Sequence, residues 1–335
     1  MKNGAIVAAA VATVLAGCSG VQSPLAPAGE QANRLYSLLE LMTAVCGGMY
    51  GLVLGFLGWS LWRARHQIGE GAPVVEPRDA GLQRGLLSWS VIMVVGLIIL
   101  AAASFLADRG LAQARDRDAL QIRITGHQWW WRIEYHDPVT GRWIETANEL
   151  HLPAGRTARL ELGSPDVIHS LWVPNVAGKM DVIPGRANVL DVTPRRIGWF
   201  RGQCAEFCGA QHAHMSLDVK VEPAQDFAVW LAGQNHPALA PSDTAMMRGM
   251  QLVTGGQCAM CHTIRGTPAG GRPGPDLTHI GSRRSIAAGT LPMSRGSIQG
   301  WIAQPQALKP GTMMPPVTLE PADADAVARY LESLK

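Results

Sequence analysis

Donor atoms crowd into one stretch, Cys204 to Met215, which reads C-A-E-F-C-G-A-Q-H-A-H-M. Cys204 and Cys208 stand four residues apart, His212 follows four later, and Met215 three after that. Thiolate, imidazole and thioether make a soft donor set, which suits copper better than magnesium or calcium. Two cysteines are too few for an iron–sulfur cluster held by four thiolates. Zinc stays open on ligand type, although a zinc site gains little from a thioether. A disulfide, or buried cysteines beside surface histidines, would leave the spacing of these donors to coincidence. His214, beside Met215, reads as a surface histidine.

A second group lies downstream, Cys258-Ala-Met-Cys261-His262. C-x-x-C-H is the attachment signature of haem c: two thioethers hold the porphyrin and the histidine ligates iron. A redox C-x-x-C or part of a zinc site is the plainer alternative. The remaining cysteines are Cys18 and Cys46, so no obvious pair is left for a structural disulfide. At 335 residues the chain has room for two or three domains. Its net charge of +3 and the lack of a long basic run argue against a nucleic-acid partner.

Several kinds of element must position these groups. Lys2 followed by the apolar run Ala5–Ala16 has the layout of a secretory signal. The run ends Leu15-Ala16-Gly17-Cys18, which resembles the bacterial lipoprotein cleavage box. Residues 1–17 would then be removed and Cys18 lipidated. Residues 18–36 follow as a tether, Pro/Ser/Gly/Ala-rich and flexible from Ser19 to Gly29. Leu41–Trp62 and Gly85–Ala107 carry no charge, and about 22 apolar residues suffice to cross a hydrocarbon core as a helix. We read residues 37–108 as a transmembrane hairpin that anchors the chain or packs on another membrane protein. The spans hold no Asp, Glu, Lys, Arg or His to carry protons. Arginines are nearly even on the two sides, so the signal sets orientation: both termini outside, the short loop inside.

From residue 113 to 223 the pattern turns to short β-rich runs punctuated by Gly and Pro: Leu120–Thr125, Arg156–Leu162, Val167–Val173, Ala187–Val192, Gly198–Arg201 and Ser216–Val221. These suggest a Greek-key β-sandwich. His169 lies on one such strand, far in sequence from Cys204 but able to close on it. Residues 224–242 read as a linker with a short helix around Asp226–Ala232. Residues 243–335 hold C-x-x-C-H between helix-like segments at Asp243–Val253 and Pro321–Leu334.

The central stretch resembles subunit II of haem–copper cytochrome c oxidases. The matching words are G-H-Q-W-W-W at 126–131, D-V-I-H-S-L-W-V-P at 166–174, G-K-M-D-V-I-P-G-R at 178–186 and F-R-G-Q-C-A-E-F-C-G-A-Q-H-A-H-M at 200–215. The C-terminal part resembles class I cytochrome c domains through G-P-D-L-T-H-I-G-S-R at 274–283 and K-P-G-T-M-M-P at 309–315. The resemblance implies a multi-domain membrane protein: a two-helix transmembrane hairpin, a cupredoxin-like Greek-key β-sandwich and an all-α cytochrome c domain.

It also implies a dinuclear mixed-valence copper centre, with Cys204 and Cys208 bridging both coppers and His169 and His212 capping one each. Met215 and the Glu206 carbonyl would be weak axial ligands, and Trp129 the electron inlet. The Glu206 side chain would reach a magnesium ion shared with subunit 1. Cys258 and Cys261 would carry the haem, with His262 and Met314 as axial ligands. Met314 is preferred to Met313, Met293 and Met260 because the family's ligand directly precedes a proline, and Pro275 would pack near His262.

The function so implied is electron input to a respiratory oxidase in a bacterial cell membrane. A soluble cytochrome c or an upstream quinol–cytochrome complex would be the donor. Subunit 1, accompanied by other membrane subunits, would reduce dioxygen to water with proton translocation. Three rivals stand beside it: a membrane-tethered electron-transfer protein with no oxidase partner, a copper-delivery protein, and the input subunit of a nitric oxide reductase. Two departures stand out. Trp130 replaces the family's more usual tyrosine, and Arg84-Gly-Leu-Leu-Ser-Trp89 lacks the acid that many members carry before the second span.

Overall fold

The structure is a computed structural model that describes residues 20–67, 79–113 and 118–335. The signal segment with Cys18, and Arg78 of the loop between the spans, lie outside the described residues. The chain divides into two compact units, Asn33–Arg115 and the remainder.

In the first unit, α1 (Glu30–Gln67) and α2 (Asp79–Gln113) are long continuous helices. Within them, Glu30–His66 and Gln83–Arg109 are apolar and long enough to cross a membrane. Apolar side chains cover every face, as expected where the solvent is lipid. Gly96 of α2 faces Met49 and Val45 of α1, so the two helices lie in contact there. Both helices outrun the uncharged stretches, because backbone hydrogen bonding continues past the first charged residue.

In the second unit the β-rich region forms ten strands: β1 (Leu120–His127), β2 (Trp130–His136), β3 (Trp143–Ala147), β4 (Glu149–Pro153), β5 (Ala158–Gly163), β6 (His169–Trp172), β7 (Met180–Val182), β8 (Asn188–Val192), β9 (Gly198–Cys204) and β10 (Ser216–Glu222). They build two five-stranded sheets, in the orders β3-β2-β1-β5-β8 and β4-β10-β9-β6-β7. Their facing sides share one core that includes Ile122, Ile124, Trp131, Ile133, Leu150, Leu160, Leu171, Phe200, Leu217 and Val219. Alternation announces β1 and β5, whose buried positions fall every second residue. It is missing from β4, where all five residues are buried. This is why period-2 reading passes over β4.

Two expected connectors are fastened elements instead. The expected tether over 18–36 is, from residue 20 to 32, held against the sandwich. Ala28 N–H donates to Asn175 O at 2.5 Å, Arg195 N–H and Arg196 N–H both donate to Ala28 O, and Asn175 Nδ2 reaches Gly20 O and Ala26 O. A Cβ on Gly29 would come within 2.3 Å of Val176 O. The small residues that read as flexibility allow close backbone contact here, and α1 begins at Glu30, inside the expected tether. Likewise the expected linker over 224–242 opens with a full helix, α3 (Ala224–Gln234), whose Phe227 and Leu231 join the sandwich core.

Beneath α3 lies a buried ionic cluster. The Trp230 ring stacks on His151 at 3.9 Å between centroids. The two nitrogens of His151 meet Glu222 at 2.7 Å and Glu149 at 3.0 Å, and Lys220 meets the other oxygen of Glu222 at 2.7 Å. Burial pulls His151 down, but its hydrogen bonds to the two carboxylates outweigh this and leave it raised.

The C-terminal part holds α4 (Thr244–Gly255), a short β11 (Ser285–Ile286) and β12 (Leu291–Pro292) hairpin, α5 (Arg295–Ala303), α6 (Pro305–Leu308) and α7 (Pro321–Ser333). Asp243 and Ser294 cap α4 and α5 by accepting the N–H of Met246 and Ser297. Helices α4 and α7 cross where Gly249 lies on the backbone of Ala326; a Cβ there would fall 2.1 Å from Ala326 O. Tyr330, Val253 and Leu331 are buried in this domain's own core. The domain is helical as expected, apart from the two-residue hairpin.

An unfolded histidine titrates near 6.5 and folding raises His151. Its stabilising contribution is therefore complete below that value and fades as pH climbs through the raised folded value. Stability of the sandwich should decline as pH increases above 6.5. His151→Gln should flatten that dependence and cost about 3–5 kcal/mol at acid pH by unpairing buried carboxylates. Urea unfolding followed by tryptophan fluorescence across pH measures both.

Candidate functional site

Neighbouring strands assemble the donor cluster. β6 and β9 pair with Leu171 opposite Cys204, which sets His169 Nδ1 3.9 Å from Cys204 Sγ. After β9 the chain turns through Cys208, makes one 3-10 turn at His212–His214 and returns as β10. This loop places Cys208 Sγ 3.7 Å from Cys204 Sγ, His212 Nδ1 3.6 Å from Cys208 Sγ, and Met215 Sδ 3.9 Å from Cys208 Sγ. Glu206 O lies 3.2 Å from Cys204 Sγ. His169, Cys204, Cys208 and Met215 are buried and His212 is half-buried. His169, Cys204 and Cys208 offer ligand atoms that lie within 4.8 Å of one another.

The residues beside the donors prepare them. Nδ1 of His169 faces the sulfur, so its Nε2–H donates to Asp166 Oδ1 at 2.8 Å and leaves Nδ1 a free lone pair. Asp166 also accepts the Gln128 N–H at 2.8 Å. Partial burial pushes the Asp166 carboxyl up, but hydrogen bonds from His169, Val167 N–H, Gln128 N–H and Ser164 hold it below the usual range. Burial pulls His169 down, and its bonds to Cys204 and Asp166 more than restore it. The two sulfurs titrate as a pair: the contact with Cys208 lowers Cys204, and the same contact together with burial raises Cys208. A thiolate is thus ready for a metal. The soft donor set fits copper.

Trp129 sits at the edge of this cluster. Its Nε1–H donates to Cys208 O at 2.9 Å, and Gln128 Nε2 donates to the same oxygen at 2.8 Å. Gly209, at φ +109°, lets the indole lie close, since a Cβ there would stand 3.0 Å from the ring. Gly126 does the same for His169, where a Cβ would stand 2.9 Å from Cδ2. His214 is turned outward and meets Gln211 Oε1 at 2.8 Å, in keeping with a surface histidine. The half-exposed Glu206 carboxylate pairs with Lys179 at 3.6 Å.

In the C-terminal domain Cys258, Cys261 and His262 share one tight turn, with His262 N–H donating to Cys258 O. Burial lowers His262, and its Nδ1–H donates to Pro275 O at 2.8 Å, which frees Nε2 for iron. Gly274 lies flat on the imidazole, where a Cβ would come within 2.7 Å of Cε1. Of the methionines weighed as sixth ligand, Met313 is 85% exposed and Met260 70%, whereas Met314 is half-buried. Gln306 Nε2 ties the Met314 loop through Thr312 O and Met314 O. Met293 packs on the domain's core.

Sequence reading passed over Asp166, Gln128, Gly126, Gly209 and Gly274 as parts of these sites. Asp166 carried a signal, three residues before His169 within a quoted motif. The glycines carry none without the tertiary contacts that require them.

Two buried sulfurs, two imidazoles and a thioether make a soft metal site, which in chain order follows the membrane-length helices and precedes the C-x-x-C-H domain. The family profile described as cytochrome c oxidase subunit II, periplasmic domain, matches residues 138–222, and that of cytochrome c matches residues 246–335. Cytochrome c oxidase subunit 2 of Alkalihalophilus pseudofirmus is 30% identical over 96% of this chain and 94% of its own length. That of Bacillus subtilis is 30% identical over 98% of this chain and 97% of its own. The chain belongs to the cytochrome c oxidase subunit 2 family, with a c-type cytochrome domain fused at its C-terminus. Among solved structures, the periplasmic domain of subunit II of the Bradyrhizobium japonicum oxidase is 31% identical over 36% of this chain and 96% of that one, with a TM-score of 0.34.

Asp166→Asn should keep the fold but weaken the carboxylate that orients His169. Copper affinity should fall about 10–100-fold. Chelator competition on the purified protein measures the loss, and an unchanged affinity would remove Asp166 from the site.

Proposed function

We propose that this chain is the electron-input subunit of a bacterial respiratory oxidase and relays electrons from haem c to a dinuclear copper centre, and on to subunit 1. The observation that carries the reading is the donor cluster, in which Cys204 Sγ lies 3.9 Å from His169 Nδ1, and Cys208 Sγ lies 3.7 Å from Cys204 Sγ, 3.6 Å from His212 Nδ1 and 3.9 Å from Met215 Sδ. Cys204 and Cys208 would bridge two coppers, His169 and His212 would cap them, and Met215 with the Glu206 carbonyl would sit axially. The copper pair supplies a delocalised one-electron carrier. The chain's task is to hold the donors still, so that little geometry changes with oxidation state. Burial of the thiolates and the Asp166–His169 bond serve that task.

Cys258 and Cys261 would carry the haem, and His262 and Met314 would ligate its iron. Histidine–methionine ligation raises a haem potential, as suits an electron carrier. Met314 is favoured over Met313 by burial and by the following proline. The Glu206 carboxylate is the group this chain would offer to a magnesium shared with subunit 1, in exchange for Lys179. The two apolar helices support membrane anchoring with the copper and haem domains on the outer face. Upstream, a soluble cytochrome c or a quinol–cytochrome complex would reduce the haem; downstream, subunit 1 would reduce dioxygen.

Electron paramagnetic resonance with metal analysis tests the relay on the full chain loaded with copper and haem. Two coppers sharing one delocalised electron beside one covalent haem are expected. Cys204→Ser should abolish that signal and leave the haem spectrum intact; two coupled coppers surviving in the variant would end the bridging assignment. Met314→Ala should keep haem attached but lose its sixth ligand and lower its potential, read by optical redox titration.

A further inference from the structure

The C-terminal domain is seated on the copper domain through contacts that neither site requires. Lys309 is 2% exposed. Its Nζ donates to Trp129 O of the sandwich at 2.8 Å and to Ala287 O of its own domain at 3.2 Å. Burial draws this amine down to about 8. A buried amine needs acceptors, and these two carbonyls come from opposite sides of the interface. The next residues continue the contact. Pro310 O accepts Gln211 Nε2 at 2.7 Å, and a Cβ on Gly311 would lie 3.6 Å from the Trp129 ring.

The hairpin loop beside it is strained towards the same interface. Ala287, Ala288 and Gly289 all have positive φ, at 53°, 56° and 77°. Two consecutive alanines in the left-handed region persist only where surrounding contacts demand it. Here their carbonyls face outward: Ala287 O takes Lys309, and Ala288 O takes Ser216 Oγ at 2.8 Å and Ser216 N–H at 3.2 Å. Flanking residues add Arg284 N–H to Glu149 Oε2 at 2.7 Å and a hydrogen bond from Ser285 Oγ to Asp218. At a separate edge Arg272 pairs with Glu145 at 3.2 Å.

We propose that Lys309 and the Ala287–Gly289 loop form a latch that locks the cytochrome domain over Trp129, so that this domain's haem is the sole route by which an outside donor reaches the copper. The inference rests on the relay proposed above and adds its geometry. Lys309 is a positioning residue: it fixes the turn that precedes Met314 against the indole. The indole then leads through Nε1–H to Cys208 O and along the same residue to its sulfur. One electron passes from haem to copper with no bond made or broken. An external cytochrome finds the indole partly covered by the Lys309–Gly311 turn.

The test compares full-length protein carrying copper and haem with Lys309→Met, which keeps the side-chain length and removes the donor. Hydrogen–deuterium exchange of segments 126–131 and 208–212 should speed up, and the haem-to-copper rate after flash photoreduction should fall at least tenfold. Direct reduction of copper by added soluble cytochrome c in protein lacking haem should rise on the same substitution. Copper resonance and haem spectra should stay as in the parent; their loss in the parent itself would instead indict the relay. Ser285→Ala, which removes the hydrogen bond to Asp218 across the same interface and touches no candidate ligand, should act in the same direction and carries the test if Lys309→Met fails to hold haem. Intact centres with unchanged exchange and unchanged rate would overturn the latch.

Discussion

The copper domain depends on one pairing, that of β6 with β9. Two strands separated by about thirty residues of chain meet with Leu171 opposite Cys204, and this register alone delivers His169 to the cysteine loop. A one-residue slip would turn His169 to the other face of the sheet. The rest of the sandwich makes slippage costly. The buried faces of both sheets commit Ile122, Ile124, Leu160, Leu171 and Val219 to a single core, and any slip would expose such side chains to water at about 1.5–3 kcal/mol each. The core thus serves the site indirectly: it stiffens the backbone that holds the donors.

Around that frame the molecule uses buried polar groups as joints. His151 of β4 ties that strand to β10 through Glu222, also bonds Glu149 of its own strand, and is roofed by Trp230 of α3. Glu149 then accepts the Arg284 N–H of the cytochrome domain, so one carboxylate serves both the sandwich and its neighbour. Lys309 works in the same manner with backbone carbonyls. Such groups are expensive to bury unless their partners stay in place, which makes them sensitive to a change in domain seating in a way that an oily contact is not. The electron path benefits, since transfer between fixed partners needs no diffusional encounter.

Much of the site was legible in the sequence because its chemistry is local. Cys204, Cys208, His212 and Met215 lie within one loop, and Cys258, Cys261 and His262 within one turn, so ligand type and spacing carry the signal. The two apolar runs were legible for a similar reason: length and absence of charge are properties of a continuous stretch. β2 escaped although its buried positions alternate; other misses were non-local or aperiodic. β4 is buried at every position and has no period to read. The segment 20–32 has the composition of a tether, and nothing in it names Asn175 or Val176 as the surface it grips. Helix α3 was read as a short piece of linker because its apolar face is matched only by residues of the sandwich.

By itself the sequence determined which atoms are available: soft donors for copper, a haem attachment turn, two membrane-length helices, and a family whose members span nearly the whole chain. Those follow from side-chain chemistry and from distances along the backbone. Tertiary structure decided which distant residues complete the sites. It put His169 beside Cys204 with Asp166 fixing its tautomer, separated half-buried Met314 from exposed Met313, and buried Lys309 between two domains. These are relations between strands and loops far apart in the chain. They are set by how the cores pack, and no local pattern encodes them.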